Sequence, residues 1–152
     1  MAWDNSSDIT FRNYKARDKT ACLNLFDENC PEYFAPNERT DFEKFLDSSP
    51  QNYQVCLKSD NIVGVFGVFK KARKQSRLEW ILLSHNAQGF GLGTIIMEKV
   101  LSLAHEQDAD VIHIATSHKA YKFFEKKGAN ILSETKNGWG PDMHRIDMAL
   151  YI

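Results

Sequence analysis

One stretch of this chain limits its fold more than any other. Gln88 to Thr94 reads QGFGLGT, three glycines at alternate positions with bulky apolar residues between them, set after strand-forming residues and before a helical pattern. A strand that ends in closely spaced glycines and opens a helix aims several unpaired backbone N–H groups, and the positive end of the helix dipole, at one spot. Phosphate fits such a spot, because bare backbone lets its oxygens reach the amides and glycine tolerates positive φ. Two phosphate loops do not match. No Gly-Lys-Ser/Thr follows at the distance a Walker loop needs. A dinucleotide fingerprint would place its third glycine where Thr94 stands, and Asp108 and Asp110 precede their strand, at the wrong end of a sheet to meet a ribose. A glycine-rich turn that serves only tight helix packing is the purely structural alternative.

The pattern around this loop alternates strands and helices. ITFRNYK alternates apolar and polar residues as a half-buried strand does, and Asp18 is placed to cap a helix carrying Cys22, Leu25 and Phe26. A loop with two prolines, 30–37, leads to a short helix from Thr40 on which Phe42, Phe45 and Leu46 share a face. NYQVCLKS and IVGVFGVFKK read as a hairpin, KKARKQSR as a basic turn, and RLEWILLS as a third strand, apolar on both faces from Trp80 onward as a central strand is. After the glycines, Ile96, Val100, Leu103 and Ala104 form a helical stripe. VIHIAT is a strand and SHKAYKFFEKK a helix closed by Gly128. ANILSETKN and HRIDMALYI pair as a hairpin around GWGPD. This order predicts an α/β fold: a mixed sheet of six or seven strands flanked by about four helices, in one domain over 1–152.

Size and composition agree. A chain of 152 residues, 43% hydrophobic, is long enough to bury roughly 70% of its unfolded surface around one core. A net charge of −1 gives no reason to expect a nucleic-acid or membrane partner. Cys22, Cys30 and Cys56 are odd in number and lack a CxxC pair, and the first twenty residues are too polar for a signal peptide, so the expectation is a cytoplasmic chain with reduced thiols. No pair of its five histidines has metal-ligand spacing, and no metal is expected. His105 reads as solvent-facing, His85 lies beside the glycine loop, and His113 reads as a histidine satisfied in the core.

Two motifs carry a family resemblance. Gln88-Gly89-Phe90-Gly91-Leu92-Gly93 resembles the Q/R-x-x-G-x-G/A signature of the GCN5-related N-acetyltransferase (GNAT) superfamily, and AYKFFEKKGA resembles its second signature, an alanine followed by an aromatic-Glu-Lys-x-Gly run. The order of elements matches that fold along the whole chain. The resemblance implies acetyl-CoA as cofactor, with coenzyme A as product. The backbone of Gln88, Gly89, Phe90, Gly91, Leu92, Gly93 and Thr94 would hold its pyrophosphate, with the Thr94 hydroxyl as an added donor. It also implies that the strand before the loop parts from its neighbour, so that the pantetheine arm pairs with Leu82, Leu83 and Ser84 like an added strand. Ser117 stands where relatives often have an asparagine that contacts the coenzyme.

Acyl transfer needs a neutral amine, a donor for the oxyanion and a proton for the departing thiolate. Leu83 is the candidate oxyanion N–H. Glu79, four residues earlier, is the candidate base, because many members of this superfamily have a glutamate there; an ion pair with Arg77 or a cross-strand lysine is the structural alternative. The family's tyrosine before Glu-Lys-x-Gly is Phe124 here, which has no proton to give. Tyr121, one turn earlier, is the candidate acid in its place, or a packing residue. Tyr33 and Phe34, with Trp139 and His144 of GWGPDMHR, are expected to border the acceptor pocket. Glu32, Glu38 and Asp41 make that region acidic, which suits a cationic amine. Trp139 fits an oligomer contact equally well, which leaves a homodimer open.

The reading that follows is an acetyl-CoA-dependent N-acetyltransferase acting directly on a primary amine of a small molecule or peptide. A non-catalytic acyl-CoA sensor with the same fold is the alternative sustained by Phe124. A protein lysine or N-terminal acetyltransferase differs only in its acceptor.

Overall fold

Residues 8–87 and 91–152 are described by the structure, a computed structural model. Seven strands and four α-helices follow in chain order: β1 (Ile9–Asn13), α1 (Lys19–Asn29), α2 (Glu38–Asp47), β2 (Tyr53–Lys58), β3 (Asn61–Ala72), β4 (Gln75–Leu83), α3 (Leu92–Glu106), β5 (Val111–Ser117), α4 (Tyr121–Lys126), β6 (Asn130–Gly140) and β7 (Met143–Tyr151). The strands form one mixed sheet in the order β1-β2-β3-β4-β5-β7-β6. All neighbours are antiparallel except β4 and β5, which α3 joins as a parallel pair. The mixed α/β sheet of six or seven strands flanked by about four helices, expected from the sequence, is therefore the one observed.

The two sheet faces bury different side chains. Over one face α3 and α4 pack mostly aliphatic residues, Ile96, Met97 and Val100 against Val68, Leu78, Ile112, Ile114, Ile146 and Met148. Over the other, α1 and α2 pack rings: Phe26, Phe42 and Tyr53 are fully buried, with Phe34, Phe45, Phe69 and Trp80 against them. Ring centroids there lie 4.9 Å apart for Phe42 and Trp80 and 4.9 Å for Phe45 and Tyr53. Each such buried side chain contributes on the order of 2 kcal/mol by leaving water.

Local chemistry shifts several element ends from their expected places. α2 begins at Glu38 rather than Thr40, because the Glu38 carboxylate accepts the Ala35 amide at 2.7 Å and closes the turn early. The basic stretch is not a loop: only Arg73 and Lys74 turn, while Lys70 and Lys71 end β3 and Arg77 lies in β4. α4 holds only Tyr121–Lys126, since Ser117 still belongs to β5 and pairs with Arg145. Gly128, at φ 101°, follows it as expected. Asp18 precedes α1 without a side-chain cap. Its buried carboxylate instead accepts both Arg12 guanidinium nitrogens, at 2.8 and 2.9 Å, and the Lys15 amide at 2.8 Å. The Arg12 bond holds its pKa below the usual range. Cys22, Cys30 and Cys56 form no disulfide, and burial raises Cys22 and Cys56 to about 12. Among the described residues, no helix is long and apolar enough to cross a membrane.

Candidate active site

The sheet opens where β4 and β5 separate. They pair only from Gln75↔Val111 to Leu78↔Ile114, yet β4 runs on to Leu83 and β5 to Ser117. The cause is a bulge in β4. Gly67 faces Glu79 and Val65 faces Leu82, so Trp80 and Ile81 together oppose Phe66. An extra residue bends and over-twists its strand, here away from β5. Trp80 takes φ 48°, a conformation that costs a bulky residue roughly 1–3 kcal/mol. Rings on the α1/α2 side hold it there: its indole lies 4.9 Å from Phe42 and 6.1 Å from Phe34, and its carbonyl accepts the buried Tyr53 hydroxyl at 2.6 Å.

The gap is part of a cleft of about 1060 Å³. Ser84 donates its amide to Val63. Backbone groups alternate sides along an antiparallel ladder, so Leu82 and Ser84 spend theirs on β3, while Leu83, and Ile81 two residues before it, turn theirs to the gap. Of the three residues expected to form the exposed edge, only Leu83 presents its backbone. Ile81 belongs with it, and the bulge behind that shift left no mark in the strand's composition.

At one end of the cleft lies the start of α3. Gln88, Gly89 and Phe90 are outside the described residues. Gly91 is left-handed at φ 71° and precedes the helix, where a non-glycine residue would be strained. A Cβ on Gly93 would come within 2.7 Å of the Phe123 ring, so this glycine serves helix packing as well. The first bond of the helix runs from the Ile95 amide to the Gly91 carbonyl, and the amides of Leu92, Gly93 and Thr94 precede it with no helical partner. Lys127 adds a cation that the sequence did not point to: its ammonium donates to the Thr94 hydroxyl at 2.6 Å and lies 5.7 Å from the Phe123 ring centroid. Amides without a helical partner, a helix dipole and a lysine make a donor set suited to a diphosphate.

The opposite end is walled by loop 30–37 and the β6–β7 hairpin. Tyr33, Phe34 and Trp139 line it. The Trp139 indole donates to the Thr116 carbonyl at 2.8 Å, its own carbonyl accepts the Asn37 amide at 2.8 Å, and Arg145 lies 4.8 Å over its ring. Glu38 lines the same wall, and burial pushes its pKa up to about 7. Between the two ends, Glu79 faces the cleft and is ion-paired with Arg77 at 2.7 Å. His113 also lines the cleft. It is half-buried and 3.1 Å from the Gln75 amide oxygen, so it is not the core histidine expected. Burial, and then Lys71, lower its pKa.

Other expected residues sit elsewhere. Tyr121 packs against the α3/α4 core and is not among the residues lining the cleft, whereas Phe123 and Phe124 are. Three residues along a helix leave an offset of about 60°, enough to put Tyr121 and Phe124 on different surfaces of a one-turn helix. His144 also lies off the cleft wall. Its Nδ1 accepts the Asn137 amide at 2.9 Å and its ring is 4.4 Å from that of His118, so it shapes the hairpin. Ser117 is buried at the end of β5, lines the cleft and accepts the Lys119 amide on its hydroxyl at 3.3 Å.

Comparison with known proteins agrees with this fold. The chain resembles the solved structure of Ard1 from Thermoplasma volcanium, with a TM-score of 0.80 at 18% identity over 95% of this chain and 98% of that one. It also resembles the ribosomal-protein-S18-alanine N-acetyltransferase of Escherichia coli, with a TM-score of 0.76 at 15% identity, over 95% of this chain and 94% of that one. A third is Rv2747 from Mycobacterium tuberculosis in complex with CoA and NLQ, with a TM-score of 0.71 at 14% identity, over 94% and 99%. At such identities the likeness speaks for the fold. No match was found among curated protein sequences. The profile of the Acetyltransferase (GNAT) family matches residues 21–129, most of the chain, and this protein therefore belongs to the GNAT acetyltransferase family.

Proposed function

We propose that this protein transfers the acetyl group of acetyl-CoA to a primary amine, on a small molecule or at a free amino group of a peptide, with both substrates bound together. The observation that carries the reading is the parting of β4 from β5 beside the amide-rich start of α3: one end suits a diphosphate, and the open strand edge suits an extended, amide-bearing arm. Bound there, acetyl-CoA supplies the activated acyl group. Leu92, Gly93, Thr94 and Lys127 hold phosphate oxygens, and the gap-facing amides of Ile81 and Leu83 orient the acyl carbonyl and stabilise negative charge on it.

Glu79 accepts the proton of the amine, directly or through water, while Arg77 fixes its carboxylate. The acidic carboxyl of Glu38 and the rings of Tyr33, Phe34 and Trp139 receive the acceptor. The name of the Escherichia coli neighbour, an acetylase of an alanine on a ribosomal protein, supports including peptide N-termini among the acceptors tested. No α4 tyrosine faces the cleft, so the thiolate takes its proton from water in this scheme, and the same fact favours the sensor reading.

Calorimetry with coenzyme A, followed by thiol release over a panel of small amines and peptides, tests the proposal. The expected outcome is binding, release with at least one acceptor, and a loss of about 100-fold in rate for Glu79→Gln with coenzyme affinity retained. Binding without release on any acceptor would leave the sensor; no binding of coenzyme A would remove the reading altogether.

A further inference from the structure

The last residue of α1 touches both halves of the cleft. Asn29 is buried, and its side-chain amide donates twice: to the Leu25 carbonyl one turn back, at 2.8 Å, and to the Leu83 carbonyl, at 3.0 Å. Leu83 is one of the two β4 residues whose backbone faces the gap. The Asn29 main-chain carbonyl in turn accepts the amides of Tyr33, at 2.8 Å, and Phe34, at 3.3 Å. Beside it, the Glu28 carboxylate accepts the Ser84 hydroxyl and the His85 amide, both at 3.2 Å, so the tip of α1 is fastened to the end of β4 at two successive residues.

We infer that Asn29 is a positioning residue that couples the two binding events, so that seating coenzyme A against β4 firms the Tyr33–Phe34 wall before the acceptor enters. The inference rests on the function proposed above for where the coenzyme lies. An arm paired to β4 restricts the Leu83 peptide. Leu83 restricts the Asn29 amide, because a buried amide pulled from its partner is left unsatisfied at a cost comparable to a lost hydrogen bond. With Asn29 held, its carbonyl stays aligned with the amides of Tyr33 and Phe34, and opening of loop 30–37 becomes rarer. Coupling of this kind is reciprocal, so an acceptor held by that wall also tightens coenzyme binding.

Hydrogen exchange over residues 30–37, with and without saturating coenzyme A, reads the coupling without knowledge of the acceptor. In the wild type, coenzyme A should slow exchange at the Tyr33 and Phe34 amides by about fivefold or more, the low end of ordinary coupling. In Asn29→Ala, and in the equal-sized Asn29→Asp that keeps no donor, the slowing should fall below about twofold at a saturating dose. Ser76→Ala is the control. It deletes a partly buried bond, Ser76 Oγ to Gln107 Oε1 at 2.6 Å, on the other side of the sheet, and should keep the wild-type protection despite its lost stability. Full protection in Asn29→Ala overturns the inference while leaving the enzyme reading intact. A wild type that binds coenzyme A without any slowing overturns it too, with no variant required. A wild type that gives no heat with coenzyme A removes both readings.

Discussion

The two sides of the sheet do different work with different side chains. On the α3/α4 side, mostly aliphatic residues close into a layer that meets the site at the amides that start α3 and at the side chains of Phe123 and Phe124. On the α1/α2 side, rings support the strained Trp80, and some of the same rings, Phe34 and Trp80 among them, are cleft wall. Aliphatic packing is dense and tolerant of small shifts, whereas large rings at fixed distances can hold one awkward backbone conformation in place. One side of this sheet therefore supplies stability with little chemistry, and the other combines the two.

The largest effect expected from this contrast comes from emptying each side. Ile112→Ala should cost about 3 kcal/mol and Phe42→Ala about 4 kcal/mol in denaturant unfolding, since both side chains are fully buried. The losses are similar, but the consequences should part. At temperatures where both variants remain folded, Ile112→Ala should turn over within about twofold of wild type, whereas Phe42→Ala, having released Trp80 and with it the bulge, should fall by about tenfold or more. Equal turnover in the two variants would break the comparison.

A smaller effect concerns pH. Burial raises Glu38 from its ordinary value to about 7 in the folded chain. The folded state therefore keeps a proton that the unfolded chain releases above about pH 4.5, and stability falls as pH rises from there through about 7, then levels off. Glu38→Gln can still accept the Ala35 amide but has nothing to ionise. Its stability relative to wild type should grow by about 2 kcal/mol between pH 5 and pH 8, measured by unfolding at each pH. A flat difference would show that the carboxyl ionises freely in the fold.

The smallest effect tests the backbone role of the aliphatic side. Gly91→Ala meets no atom within 4 Å but must hold φ 71°, so it should cost about 1 kcal/mol of stability. If the turn before α3 presents amides to a diphosphate, coenzyme A affinity should drop as well, by about tenfold in calorimetry. Loss of stability with unchanged affinity would make the glycine a matter of helix geometry alone.

Much of this was legible in the residues and some was not. Periodicity, composition and turn residues marked the strands and helices, and the glycine loop together with the Phe-Glu-Lys-Lys-Gly run pointed to the family. Element ends were less legible where a side chain closed a turn, as Glu38 does at α2, or where strand pairing claimed residues with helical composition, as with Ser117. Within the site, Tyr33, Phe34, Glu79, Trp139 and the residues from Gly91 to Thr94 lie at the cleft, while Tyr121 and His144 do not. Those two depended on a rotation of about 60° on a one-turn helix and on which way a hairpin side chain points, and neither is written in a one-dimensional pattern.

The sequence by itself determined the order and type of the elements and the place of the glycine loop, because those follow from local periodicity and from what glycine alone permits. Only the tertiary structure decided that β4 bends away from β5, that Ile81 and Leu83 rather than Leu82 and Ser84 face the opening, that Asn29 reaches Leu83, and that Lys127 reaches Thr94. A bulge is defined by two strands together, and a hydrogen bond between residues 29 and 83 exists only once the chain has brought them within 3.0 Å.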